Sequence, residues 1–145
     1  MTQQERDLLS QDICERLPYG VKIETEYHRK ATLVDIRKNI SYGACKDLLV
    51  TYDISGEETP YQSEERSSTI SKIKPYLFPL SNMSEDLINE LYTNLTELEL
   101  KALNDEIEYS AVSAFEIDFY HKHHIDYCGL IPMGLANDAT GLNIY

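Results

Sequence analysis

At 145 residues the chain is long enough to bury an ordinary core, and a 42% hydrophobic content excludes disorder as the default state. The formal net charge of −12 repels DNA and anionic lipid at long range, so nucleic acid is an unfavoured partner. No apolar run approaches the ~20 residues of a membrane span, and residues 1–6 have no basic segment leading into an apolar one. Neither membrane insertion nor a signal peptide is expected.

Residues 2–17 are expected to form a helix. Thr2 and Glu5 have capping-box spacing, and Leu9, Ile13 and Leu17 recur at four-residue intervals, with Leu8 and Cys14 widening the stripe. Pro18 and Gly20 end it. Three antiparallel strands follow, over 21–27, 31–38 and 47–54. In the first, Val21, Ile23 and Thr25 alternate with Lys22, Glu24 and Glu26. The break at 28–30 suits a hairpin and 39–46, with Gly43, a looser turn. An exposed loop over 55–65 leads to a candidate fourth strand at 66–73. Pro75 and Pro79 forbid a helix interior at 74–80, which reads as an extended or single-turn apolar strap over the core.

Ser84 is placed to cap a helix whose first turn holds Glu85 and Asp86, with Leu87, Ile88, Leu91 and Leu95 facing inward. Residues 96–104 alternate like a strand yet also continue the helical stripe, and helix is the preferred reading. A last helix covers 110–124, with Val112, Phe115, Phe119 and His123 on one side. Gly129, Pro132 and Gly134 make the remaining tail irregular. The expected architecture is α+β: an N-terminal helix, a three- or four-stranded antiparallel sheet, two or three C-terminal helices and an irregular tail. Residues 1–145 are read as a single domain.

Composition narrows the chemistry further. Eleven tyrosines, three phenylalanines and no tryptophan make tyrosine the main aromatic packing residue. Cys14, Cys45 and Cys128 are odd in number and far apart, which suits reduced thiols in a cytoplasmic protein. Nowhere does the chain carry a Gly-rich phosphate loop, C-x-x-C, G-x-S-x-G or H-E-x-x-H.

Chemistry-bearing residues concentrate in the tail, where His121, His123 and His124 stand beside Asp126 and Cys128. His121 and His124, three apart on a helix, share a face and with Asp126 form a candidate metal site, hence a metal-dependent enzyme as the alternative function. The preferred reading is structural. An imidazole at a helix end interacts well with the last carbonyls, and Asp126 accepts amide hydrogen bonds in a turn where Gly129 takes a positive φ. No catalytic residue and no cofactor are assigned.

Three stretches carry a resemblance: RLPYGV at 16–21, IKPYLFPLS at 73–81 with Met83, and HIDYCGLIPMGLA at 124–136. Together they resemble a group of small uncharacterised proteins of Bacteroidetes genomes, prophages and mobile elements. The group has no assigned activity, so the resemblance implies a setting and no reaction. Its members commonly carry Arg at the position of Cys128, which argues against a thiolate nucleophile or a metal ligand there.

Charge suggests two further surfaces. Between 19 and 47, six Lys and Arg residues face four acids; Arg29, Lys30, Arg37 and Lys38 on this basic hairpin are candidate phosphate contacts, with Tyr27 and Tyr42 for stacking. Interleaved Glu24, Glu26 and Asp35 favour ordinary solvated strands instead. Between 84 and 118, ten acids face Lys101 alone. Here Glu97, Glu99, Asp105, Glu106 and Glu108 can imitate a polyanion and inhibit a host nucleic-acid-binding defence protein. The sequence therefore leads to a non-enzymatic interaction protein of a phage or mobile element, with a host or phage protein as partner. Exposed strand edges leave a homodimer open.

Overall fold

The computed structural model describes residues 1–38, 48–54 and 65–145. Helix α1 (Gln3–Arg16) begins on the capping box: Thr2 Oγ1 accepts from the Glu5 amide at 3.2 Å, and Glu5 Oε2 accepts from the Thr2 amide at 2.6 Å. A 3₁₀ turn (Leu17–Tyr19) and Gly20 at φ 64° then reverse the chain. The apolar stripe of α1 holds with one correction. Leu9 and Ile13 are fully buried, but Cys14 is exposed and Asp12 and Arg16 take the inward positions beside them.

The strands are β1 (Lys22–Glu24), β2 (Ala31–Lys38), β3 (Leu48–Asp53), β4 (Glu65–Thr69), β5 (Lys74–Pro79), β6 (Ile125–Asp126) and β7 (Asn137–Asp138). They form one sheet in the order β4-β3-β2-β1-β5-β6, with β7 also paired to β5. Strands β1 to β4 are antiparallel neighbours, and β1 pairs antiparallel with β5. Both β6 and β7 run parallel to β5. The fold is α+β, but its sheet is larger than the expected three or four strands and is mixed. Two-residue strands such as β6 and β7 are too short to show period-two alternation, and their partner lies 47 residues away for β6 (Phe78 to Ile125) and 61 for β7 (Tyr76 to Asn137).

Residues 74–79 are extended, as the prolines require, with a single 3₁₀ turn beginning at Leu80, yet the stretch enters the sheet instead of lying over it. Each neighbour pairs with β5 over only two residues, so the amide groups missing at Pro75 and Pro79 interrupt no long ladder. The first strand is shorter than expected because Thr25 folds the chain back: its hydroxyl accepts from the His28 amide at 3.0 Å. The expected fourth strand divides into β4 and a 3₁₀ turn (Ile70–Lys72). The expected turn at 39–46 and most of the 55–65 loop lie outside the described residues.

One hydrophobic cluster joins Leu9 and Ile13 of α1 to Val21, Ile23, Leu33, Val50, Ile70, Ile73 and Leu77, and to Leu130, Leu135 and Ala136 of the tail. The tail therefore belongs to the core. Ser84 caps α2 (Glu85–Leu103) by accepting from the Leu87 amide at 3.3 Å, and the helix runs unbroken through 96–103. It packs on α3 (Tyr109–Lys122), which in turn meets α1 and β6. Only Leu91 and Ala102 of α2 are buried, so this helix presents most of its surface to solvent.

Candidate functional site

The histidine-rich end of α3 is organised by an ion pair that the sequence reading did not single out. Arg16 is fully buried and holds Asp12 with two hydrogen bonds, Nε to Oδ2 at 2.7 Å and Nη2 to Oδ1 at 2.9 Å. Its Nη2 also donates to the Ile125 carbonyl at 2.7 Å, and the guanidinium lies 5.8 Å from the centre of the Tyr127 ring. The arginine thus ties α1 to β6. A guanidinium bound bidentately to a carboxylate is the form in which a buried charge is tolerated, and here only Nη1 is left without a hydrogen-bond partner among the described residues.

Around this pair the imidazoles diverge. His121 is buried, with Nε2 3.0 Å from the Tyr127 hydroxyl and 3.3 Å from Glu15 Oε2. Tyr127 OH donates to Glu15 at 3.4 Å, and its ring stacks on Tyr120. His124 instead lies flat on the Tyr145 ring, centroids 3.8 Å apart. Both Asp126 oxygens accept backbone amides, Oδ1 from Leu130 and Oδ2 from Ile131, each at 2.8 Å. Gly129 between them has φ 77°. The proposed ligand set of His121, His124 and Asp126 therefore does not converge, because each side chain is committed elsewhere. Among the described residues no group of three or more His, Cys, Asp or Glu is arranged to hold a metal ion.

A groove of about 600 Å³ runs between α1 and α3 and is lined in part by Glu15, Asp118, His121, Tyr127 and Cys128. Its carboxylate, imidazole and phenol form a hydrogen-bonded chain that can share a proton. Burial sets the protonation states. It pushes the Tyr127 hydroxyl well above its ordinary range and lowers His121, with Arg16 adding to the latter shift. Burial also raises the Cys128 thiol, which disfavours its thiolate form.

The acidic candidates gather at the other end of the helical pair. Glu97 and Glu99 are exposed on α2, Asp105 and Glu106 on the turn after it, and Glu108 at the N-cap of α3. Leu100, Leu103 and Tyr109, each more than half exposed, stand among them. A notch of about 430 Å³ at the turn is walled by Ala102, Asp105, Glu106, Ile107, Glu108 and Tyr109. Lys101 pairs with Glu97 at 3.0 Å and leaves the other four acids to face outward.

The basic candidates are spread along β2. Arg29 and Lys30 precede it and Arg37 lies near its far end, roughly 25 Å away at strand spacing. Lys38 ends the strand; its side chain, like Tyr42 and Cys45, lies outside the described residues. Cys14 and Cys128 form no disulfide. Among the described residues no helix is long and apolar enough to cross a membrane. No protein-family model matches this chain, and neither a curated protein nor a solved structure does.

Proposed function

We propose that the protein is a small interaction protein of a phage or mobile element, and that the turn between α2 and α3 docks a basic, nucleic-acid-binding partner. The observation that carries this reading is the placement of Leu100, Leu103 and Tyr109 among Glu97, Glu99, Asp105, Glu106 and Glu108, all open to solvent. Interfaces concentrate their energy in a few apolar and aromatic anchors ringed by polar groups, and complementary charge sets the rate and orientation of encounter. The notch beside Asp105 and Glu108 suits the stem and cation of a partner Lys or Arg. The resemblance to proteins of mobile elements supplies the setting, and the excess negative charge the direction: a surface that competes with nucleic acid for a basic groove.

The test uses the host proteins that bind to immobilised duplex DNA. One of them is expected to bind the full chain and to be displaced from it by free duplex, with affinity falling as salt rises. The quadruple variant E97K/E99K/D105K/E106K should lose about a hundred-fold or more in affinity while keeping its circular dichroism. Unchanged binding by that variant, or binding that duplex DNA leaves untouched, would overturn the proposal.

A further inference from the structure

A second cavity, of about 370 Å³, opens where the end of β5 meets the start of α2 and the end of α3. Phe78, Met83, Leu87 and Ile125 supply an apolar wall, and Tyr145 closes one side. That tyrosine is fixed in place. Its hydroxyl donates to the Tyr76 carbonyl at 2.7 Å and accepts from the Lys22 amide at 3.0 Å, while its ring stacks on His124 and meets Phe78 at 5.9 Å.

His123 Nε2 and His124 Nδ1 are buried and have no hydrogen-bond partner among the described residues. Buried polar atoms are nearly always paired, so two neighbouring orphans on residues that line one cavity, both out of solvent's reach as the rings now stand, mark a place where a small ring movement would meet a ligand's polar group. Lys122 also lines the cavity, and no Asp or Glu does, in a chain whose net charge is −12. Backbone geometry points to the same place. His124 has φ 56° just past the end of α3, a left-handed position that glycine ordinarily fills. A side chain held there at the cost of strain is a pointer to function.

We propose that this cavity binds a small amphipathic carboxylate, its apolar body between Phe78, Met83 and Leu87 and its carboxylate against His123 and His124, near Lys122. An uncharged His124 imidazole fits this role, since its ring N–H can donate to a carboxylate oxygen. Burial lowers His124 to about 4, so at neutral pH it offers that donor without a charge of its own to bury. Inorganic phosphate would satisfy the nitrogens but leave the apolar wall unfilled. The site is independent of the docking turn: Leu87 and Ala102 are separated by roughly 22 Å of helix.

Phenylacetate, indole-3-acetate and 4-methylpentanoate, each paired with its matching amine, are suitable probes for the full chain. Carbon–proton correlation spectra should show saturable shifts of the His123, His124 and Leu87 signals with at least one carboxylate. The matching amine should bind about ten-fold more weakly or worse, the scale of one charge-assisted contact. L87W fills the cavity and H124N removes the ring while keeping a residue that tolerates positive φ; each should weaken binding about ten-fold or more. Absence of saturable shifts with all three carboxylates, equal binding of the amines, or full binding by both variants would overturn the inference.

Discussion

Arg16 is the residue on which the two ends of the chain depend. Its charge is buried together with that of Asp12, and removing one partner leaves the other uncompensated in the core. Asp12→Ala is expected to cost about 3–5 kcal/mol in urea unfolding, while a paired apolar replacement such as D12L/R16M should cost far less. His124 yields a pH prediction with a definite sign. Burial, then the charges of Arg16 and His123, hold it at about 4 in the folded protein, against roughly 6.5 for an unfolded histidine. Above that value both states are uncharged at this position. As pH falls below it, the unfolded chain takes up a proton that the folded chain refuses, and stability declines until the folded ring also titrates near 4. His121 is lowered too and acts in the same direction. Urea midpoints followed from pH 7.5 to 4 should therefore fall, and fall less in H124N.

At the scale of elements, the turn after β6 and the outer helix behave differently. Asp126 satisfies the Leu130 and Ile131 amides with its two oxygens, and the Leu130 side chain is fully buried. Asp126→Ala leaves both donors unpaired and is expected to destabilise by about 2–5 kcal/mol, roughly half of it recovered in Asp126→Asn, whose single carbonyl oxygen keeps one amide bonded. The carboxylate's role is to close this turn, and differential scanning calorimetry of the two variants checks it. Helix α2 has the opposite character. With only Leu91 and Ala102 buried, it is secured by packing on α3 and by its cap. Ser84→Ala should cost about 1 kcal/mol and show first as faster amide exchange in the opening turn of α2.

The whole molecule shows why some of this was legible in residues and some was not. The capping box of α1, the Ser84 cap, the continuation of α2 through 96–103 and the extended backbone around Pro75 and Pro79 are local: each is set by side chains within about four residues of the backbone they control. Asp126 as a turn acceptor belongs with them, since its partners are four and five residues away. Asp12 and Arg16 carried a visible signal, opposite charges one turn apart on the same stripe as Leu9 and Ile13, but charge is ordinarily evidence for solvent exposure. The size and mixed direction of the sheet had no such signal, because β6 and β7 are recruited by β5 from the far end of the chain.

The candidate sites divide along the same line. The acidic cluster could be located from composition alone, since like charge concentrated on one segment stays concentrated wherever that segment packs. Which apolar side chains remain uncovered among those acids depends on what α2 rests against. The histidines stand out in the sequence, yet their proximity there implied convergence, and the fold separates them. His121 turns toward Glu15 and Tyr127, more than a hundred residues apart in sequence, while His124 turns onto Tyr145. Local propensity and spacing can settle how a segment begins, ends and is capped, because those energies arise between neighbours. Whether two imidazoles share a ligand depends on contacts that exist only once distant segments are packed, and here packing directs them to different cavities.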